Sequence, residues 1–532
     1  MNFNVSTLPD DTESLKQMLV SLGEDFVDLQ KRYDQETDLL LEQIRHLRAQ
    51  LFGRKSEKGS ADALAQPLPL FDMPEPDLSE ESVSEKEIEV PAHTRKRGRR
   101  SLPEDLPRVE IVHDLADDEK VCGCGSELSR IGEEVSEQLD IVPAKIQVIR
   151  NIRPKYVCRQ CEGVEDDGLT VRIASAPPQI IPKSIVTPSL LAHVLTGKFI
   201  DALPFYRQEK QFERLGIEIS RTSMCSWAMK AAKACIPLVN LLQDEVLSGC
   251  LINIDETTVQ VLAEPGRDPT TKSYMWIFRR GDPEKPALIY QYHPTRSGDV
   301  AAAFLRGYKG YVQTDGYSGY NFLDSEQDIE HIGCWAHARR KFKDVVKAQG
   351  KNRKKTGSAD VAINYIGRLY RIEKETKKKK LTLEEIYQER QLKSKPILDE
   401  FRQWLLKRSS QTPPKGLLGK AISYALKQWG RLVVYLQDGR LPMDNNAAEN
   451  CIRPFVVGRK NWLFSGTPEG AAASAVLYSL VESAKANGLE PYCYFRYIFE
   501  KLPVAETLED LEALLPWNLN RDKLLAVAAA GG

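Results

Sequence analysis

Apolar and aromatic side chains recur at spacings of four and three through Leu15, Leu19, Leu22, Phe26, Leu29 and Tyr33. This spacing predicts a helix carrying a coiled-coil seam. The register slips near Glu36 and resumes at Leu40, Ile44, Leu47 and Leu51. The flanking segment offers little to pack against, which favours a second copy of the helix as its partner over its own chain. Residues 59–92 lose all periodicity and fill with Pro, Ser, Ala and acids, the pattern of a disordered linker. From Glu137 to Arg153 the pattern predicts strands of a small β-ribbon. Residues 188–247 turn helical: Leu203 to Arg214 is one amphipathic stretch, Gly216 makes a turn, and Ser220 caps a second helix running through Trp227. That is a helix-turn-helix pattern. Between 248 and 345, strand and helix signals alternate. Leu251–Asp255, Ser273–Arg279, Ala287–His293 and Tyr311–Asp315 read as strands, and Asp299–Tyr308 reads as a helix between the last two. Residues 346–430 interrupt this alternation with helical, basic sequence. A further helix begins after Met443, capped by Asp444, Asn445 or Asn446.

Length and charge refine the picture. At 532 residues the chain predicts three or four domains, and 42% apolar content allows sizeable cores. Net charge is only −1, so global balance does not advertise nucleic acid. The charge is segregated, however: residues 75–89 carry seven acids and one Lys, whereas residues 95–100, Arg-Lys-Arg-Gly-Arg-Arg, carry five basic side chains. Within 351–380 there are eleven Lys or Arg against three acids. Local patches of this kind set a DNA footprint. The N-terminal ten residues lack a basic and apolar leader, and no run of 18 apolar residues exists, so neither a signal peptide nor a membrane span is expected. Ten cysteines without a dense secretory pattern fit reduced thiols in a cytoplasmic protein.

The candidate chemistry rests on three carboxylates. Asp255 ends an apolar strand, Asp315 follows a second strand, and Glu449 lies on the later helix. Such a set can converge on a pair of magnesium ions, hard cations that take oxygen ligands and clamp the attacking and leaving oxygens of an in-line phosphoryl displacement. Glu256 neighbours Asp255, but adjacent strand residues point to opposite faces. Glu482 is a rival for the third position. Cys122, Cys124, Cys158 and Cys161 form two pairs suited to one structural zinc ion, with the first pair, Cys-x-Cys, one residue tighter than usual. Arg97 and Arg99 sit in Arg97-Gly-Arg-Arg100, which fits either an AT-hook-like arm in a narrow minor groove or a plain phosphate-binding arm. Arg221 and Thr222, at the start of the second helix of the helix-turn-helix, are suited to base edges and phosphates.

Several segments carry a family resemblance. Asn446-Ala-Ala-Glu-Asn-Cys-Ile-Arg-Pro-Phe-Val-Val-Gly-Arg-Lys-Asn-Trp-Leu-Phe-Ser-Gly466, Thr314-Asp-Gly-Tyr-Ser-Gly-Tyr320 and Gly333-Cys-Trp-Ala-His-Ala-Arg-Arg-Lys-Phe342 resemble the signatures of the insertion-sequence-66 family of bacterial transposases. Gln50-Leu-Phe-Gly-Arg54, Arg153-Pro-Lys-Tyr-Val-Cys158 and Leu203-Pro-Phe-Tyr-Arg-Gln208 extend it upstream, over about residues 15 to 505. The resemblance implies a DDE transposase with a ribonuclease-H-like core. Its substrates would be double-stranded DNA, the terminal inverted repeats of the element and the target, and two small accessory proteins of the same element would assist. Cys334-Trp-Ala-His337 resembles a Cys-x-x-His signature of several transposase groups. With no further ligands evident in the sequence, His337 is assigned to structure or DNA positioning. Arg339, Arg340, Arg453, Arg459 and Lys460 follow the carboxylate segments closely and are candidates for phosphate contacts. Trp462 is assigned to the core in preference to base stacking.

The expected fold class is therefore multi-domain α/β. A coiled-coil helix occupies 1–58, and a disordered linker ending in the basic arm occupies 59–100. A small zinc-binding β module (101–180) and a helix-turn-helix domain (181–247) follow. The ribonuclease-H-like catalytic domain spans 248–480, with the helical insertion at 346–430, and a C-terminal helical segment covers 481–532. The expected protein is a nucleoid-associated homodimer or larger assembly. The competing expectation is a dimeric DNA-binding protein, non-catalytic or degenerate, that only recognises element ends. It leaves the settings of Asp255, Asp315 and Glu449 unexplained. An ATPase is disfavoured, because no Gly-x-x-x-x-Gly-Lys-Ser/Thr loop is present.

Overall fold

The heptad-like stretch forms one uninterrupted helix, α1 (Thr12–Phe52), which continues through the register slip at Glu36. The computed structural model describes residues 11–52, 146–157, 171–282, 284–349, 357–522 and 524. They fall into two units, one drawn from 1–77 and 177–532 and the other from 78–176. In the smaller unit, β1 (Lys155–Val157) pairs antiparallel with β2 (Val171–Ile173). The strands expected over 137–153 need correction where they can be seen. Residues 137–145 lie outside the described residues, and 146–154 form no strand. Pairing starts after Pro154, which has no N–H to give a ladder.

In the larger unit, which also holds α1, the segment from 177 onward begins with four helices, α2 (Pro188–Phe199), α3 (Phe205–Arg214), α4 (Arg221–Ala234) and α5 (Ile236–Ser248). The turn between α3 and α4 passes through Gly216 at φ +75°, a left-handed conformation that glycine adopts without a Cβ clash. Ser220 caps α4 as expected, its hydroxyl accepting the Ser223 N–H at 3.1 Å.

A five-stranded sheet follows. Its strands are β3 (Leu251–Gln260), β4 (Lys272–Arg280), β5 (Leu288–His293), β6 (Gly310–Gln313) and β7 (Ile329–Ile332), in the order β5-β4-β3-β6-β7. The first three form an antiparallel meander. The chain then passes through α6 (Gly298–Phe304) and returns as β6, parallel to β3, with β7 parallel to β6. α6 is shorter than the expected 299–308, because the chain turns through Gly307 at φ +79°.

The basic segment is helical, as its pattern predicts: α7 (Trp335–Gln349), α8 (Ser358–Lys379), α9 (Leu383–Glu389), α10 (Lys395–Ser409), α11 (Leu417–Lys427) and α12 (Trp429–Val433). The chain ends in α13 (Asn446–Trp462), α14 (Pro468–Ala486), α15 (Pro491–Lys501) and α16 (Leu508–Glu512).

Two hydrophobic cores result. One is shared by α2–α5, the sheet and α13–α15, through residues such as Met224, Leu238, Ile254, Phe278, Phe455 and Phe495. The other joins α7, α8, α10, α11 and α12 around Trp335, Phe342, Leu369, Phe401 and Ile422. Arg390, buried between α9 and α10, locks the second core to the chain entering α13. It pairs with Glu373 and donates to the carbonyls of Tyr435, Asp438 and Leu441 at 2.7–2.9 Å. All five of its donors are thereby used. Lys377–Lys379 close the last turn of α8, where cations suit the negative end of the helix dipole.

Along α1 the seam residues Leu19, Leu22, Phe26, Leu29 and Tyr33 are exposed, although α1 also touches α7. No helix among the described residues is long and apolar enough to cross a membrane.

One buried histidine sets a pH dependence. His331 on β7 lies between Thr314 Oγ1 at 2.8 Å and Asp324 Oδ1 at 2.9 Å. Burial, reinforced by Arg431, lowers its pKa to about 4. The unfolded chain binds the extra proton between its ordinary value near 6.5 and about 4, so stability is held above 6.5 and lost as pH falls through that window. A shift of that size is worth about 3 kcal/mol. Urea midpoints measured across pH 4–7 should fall on the acid side and fall less for His331→Gln. An unchanged slope in the variant would mean that His331 titrates alike in both states.

Candidate active site

The position of the carboxylates follows from strand register. In the parallel pair, Leu251, Ile252 and Asn253 of β3 stand opposite Tyr311, Val312 and Gln313 of β6. Asp255 follows the last paired residue of β3 by two positions, Asp315 lies two residues past the end of β6 at the same end of the pair, and its charge bears on Asp255. A buried polar ladder fixes this edge one step below. Arg279 donates to Asn253 Oδ1 at 2.9 Å, Asn253 Nδ2 to Gln313 Oε1 at 2.9 Å, and Gln313 Nε2 to the Pro442 carbonyl at 2.9 Å. The ladder runs from β4 across β3 and β6 to the chain that launches α13. Gly316 has no room for a Cβ, because the Tyr424 ring fills that space.

The third carboxylate arrives from the stitched ends of two helices. The Asn445 N–H donates to Cys334 Sγ at 3.2 Å, the Trp335 N–H to the Met443 carbonyl at 3.2 Å, and Asn445 Nδ2 to the Ile254 carbonyl at 2.9 Å. Of the three expected caps, Asp444 accepts the Asn446 N–H at 3.2 Å, while Asn445 is spent on β3. The first turns of α7 and α13 therefore meet. His337 Nδ1 stands 3.6 Å from Glu449 Oε1, and Arg340 Nη2 stands 3.5 Å from Glu449 Oε2. Ligand atoms of Cys334, His337 and Glu449 all lie within 4.8 Å of one another. The sequence did not offer this partnership, because more than a hundred residues separate His337 from Glu449.

Electrostatics identifies the same group. Burial raises the Asp255 pKa well above the usual carboxylate range, and the charges of Glu256, Glu449 and Asp315 push it further. Burial raises Glu449 against the opposing pull of Arg340, with Asp444 and Asp315 adding to the rise. His337 is lowered to about 4, first by burial and then by Arg340. Three carboxylates that repel one another, one with a buried oxygen (Glu449 Oε1) lacking any hydrogen-bond partner, suit a hard divalent cation.

Glu256 lies close enough for its charge to bear on Asp255 and for Asp315 to bear on it, although the alternation predicts opposite faces. It is buried and paired with Arg296, and Tyr320 OH donates to it. Arg296 stacks 3.8 Å from the centroid of the Tyr317 ring, and the Tyr317 N–H donates to Asp315 Oδ1 at 2.9 Å. This Glu256–Arg296–Tyr317 support carried no sequence signal, since Arg296 lies in an unpatterned connection before α6. Glu482 does not join the aspartates. It sits on α14 and pairs with Lys485 at 2.9 Å.

The candidate phosphate contacts divide. Arg459 is committed to Thr257 and Thr258 of β3 at 3.2 and 3.0 Å. Arg339 lies over the Tyr370 ring at 5.8 Å. Arg453 is half-buried near Glu449, whereas Lys460 is exposed. Trp462 packs edge-on against Phe455 at 5.4 Å. Arg221 and Thr222 are exposed at the start of α4. The Arg221 N–H already donates to Glu209 at 2.9 Å, which leaves the two side chains as the free groups there. Arg97, Arg99, Cys122, Cys124, Cys158 and Cys161 lie outside the described residues.

With this geometry in place, comparison with known proteins gives the class first. Residues 183–473 match the family described as "Transposase IS66 family", which covers α2–α5, the sheet, the helical segment and all three carboxylates. Residues 119–162 match the "zinc-finger binding domain of transposase IS66", a span that includes all four paired cysteines. Residues 479–517 match the "IS66 C-terminal element", and 39–111 match "Transposase C of IS166 homeodomain". Two relatives from Sinorhizobium fredii (strain NBRC 101917 / NGR234) are similar along nearly their whole length. Uncharacterized protein y4jD is 32% identical, covering 98% of this chain and 99% of its own. Uncharacterized protein y4hP is 30% identical, covering 92% and 90%. No solved structure gives a significant match. The chain belongs to the IS66 family of transposases, and its DNA-binding and zinc-finger modules are those of that family.

Proposed function

We propose that this transposase cuts the ends of its own element and joins them to target DNA at a centre formed by Asp255, Asp315 and Glu449. The observation that supports the reading is the parallel β3–β6 pair, whose ends lead into Asp255 and Asp315, together with the charges of Asp315 and Glu449 acting on the buried Asp255. A β5-β4-β3-β6-β7 sheet, with an antiparallel meander followed by two parallel strands, supports the ribonuclease-H-like assignment.

Asp255, Asp315 and Glu449 would hold two magnesium ions. When bound, such ions acidify a water and neutralise charge on the phosphate. Arg340 holds one oxygen of Glu449 and leaves the other turned inward. Arg296, fixed by Glu256 and Tyr317, presents a partly exposed guanidinium beside Asp315, suited to a flanking phosphate. Attack of water on the phosphodiester at the element end frees a 3′-hydroxyl, and that hydroxyl then attacks target DNA at the same centre. Purified protein should nick cognate ends with magnesium and not with EDTA. Intact ends after incubation with magnesium, under conditions where binding is complete, would leave the protein a DNA-binding factor only.

End recognition is assigned to the N-terminal modules. The chemistry acts on a bond common to all DNA, so sequence must be read elsewhere. Arg221 and Thr222 on α4 would read base edges, and Arg97 and Arg99 would enter the minor groove. Cys122, Cys124, Cys158 and Cys161 would hold one structural zinc ion. The exposed α1 seam would pair two protomers in the bacterial cytoplasm, and two small proteins of the element would complete the machinery. Arg221→Ala should weaken binding to cognate ends by about 1–3 kcal/mol and to random DNA by less. Equal losses on both in salt-controlled titrations would reduce α4 to a backbone contact.

A further inference from the structure

His337 Nδ1 and Glu449 Oε1 are both buried, neither has a hydrogen-bond partner, and they face each other at 3.6 Å. Buried polar atoms without partners are rare in folded proteins and call for a physical cause. At 3.6 Å the two atoms are too far apart to satisfy one another by a hydrogen bond. Two ligand atoms each ~2.0–2.2 Å from one cation lie roughly 3–3.6 Å apart at ordinary coordination angles. The gap therefore fits a shared ion. Both side chains are held for it. The Asn445–Cys334 and Trp335–Met443 bonds stitch the first turns of α7 and α13 together. Arg340 engages the other Glu449 oxygen and leaves Oε1 turned toward the imidazole.

We propose that His337 is a direct nitrogen ligand, beside Glu449, to one divalent cation of the catalytic centre, and that it favours manganese-like ions over magnesium there. The proposal rests on the carboxylate reading given above. Its chemical basis is ligand preference. Imidazole suits first-row transition ions, whereas magnesium is held by oxygen ligands and keeps its waters.

The test uses the full-length protein with its zinc module loaded. Mn²⁺ is added, and pulsed electron paramagnetic resonance reads nitrogen coupling to the bound ion. Calorimetry gives Mn²⁺ and Mg²⁺ affinities for the wild type, His337→Gln and Asp255→Asn. Nitrogen coupling should be present in the wild type and absent in His337→Gln. That variant should also bind Mn²⁺ about tenfold more weakly or worse, with Mg²⁺ affinity changed much less. Absence of nitrogen coupling in the wild type overturns the proposal without recourse to any variant, and so does coupling retained in His337→Gln. Asp255→Asn separates the two levels. If it binds Mn²⁺ as the wild type does, the carboxylate reading itself fails. If it loses Mn²⁺ while His337→Gln keeps both affinity and coupling, only the histidine assignment falls.

Discussion

Asp255→Asn or Asp315→Asn is expected to lower cleavage of element ends by about 10³-fold or more while end binding stays nearly intact. The amide keeps the size of the carboxylate and loses the charge that holds the cation. The fold tolerates the change, because Asp255 is raised well above its usual range by burial and by three neighbouring carboxylates. Removing one of those charges relieves repulsion, so either variant should be as stable as the wild type or more so. The exposed Arg221 and Thr222 lie on α4, outside the carboxylate cluster, and their contacts with DNA should persist. Cleavage assays run beside binding titrations and thermal melts separate these effects. Undiminished cleavage by either variant would remove that aspartate from the chemistry. A stability loss of several kcal/mol would mean that it serves the fold instead.

Trp335→Ala should be the most destabilising single change in the helical segment. Trp335 is fully buried at the start of α7, edge-on to Trp429 at 5.9 Å and close to Phe401 at 6.3 Å. Its indole N–H donates to the Leu432 carbonyl at 2.8 Å. Truncation leaves a cavity worth about 3–5 kcal/mol, and a buried carbonyl without its donor adds about 1–3 kcal/mol. Trp335→Phe keeps most of the ring packing and should cost less. The damage should also reach the proposed catalytic centre, because Trp335 lies two residues before His337 and its backbone N–H, which Ala retains, meets the Met443 carbonyl only while the start of α7 keeps its place. Urea unfolding with hydrogen exchange on α7, α8, α10 and α11 measures both effects. A loss under about 1 kcal/mol would show that this core does not depend on Trp335.

Much of this chain was legible before folding because local chemistry wrote it. Alternating spacings of four and three gave α1. Ser220 and Gly216 marked the turn between α3 and α4 through a cap and a left-handed residue. Apolar runs gave β3 through β6, and the polar run Asp444-Asn-Asn446 signalled the start of α13. Asp255, Asp315 and Glu449 are proposed out of a chain holding 75 acids because the segments 314–320 and 446–466 resemble the family's signatures. The limits of the sequence are also local. Alternation alone does not reveal where a strand finds its partner, so it predicts strand over 146–153 where none forms. A helical pattern after β5 likewise runs past the turn at Gly307, which ends α6 early.

Tertiary structure alone decided which side chains meet. No periodicity links β3 to β6, yet their parallel pairing brings the strand ends that lead into Asp255 and Asp315 together, and the Asn253–Gln313 bond holds that register in place. Glu449 was separated from its rival Glu482 only when α13 and α14 took different places on the sheet, leaving Glu482 with Lys485. The pairing of His337 with Glu449, and of Arg296 with Glu256, spans long stretches of intervening chain. Sequence determines the elements because capping, alternation and turn chemistry act within a few residues. The site depends on contacts between residues far apart in the chain, and those form only when burying the two cores drives the elements together.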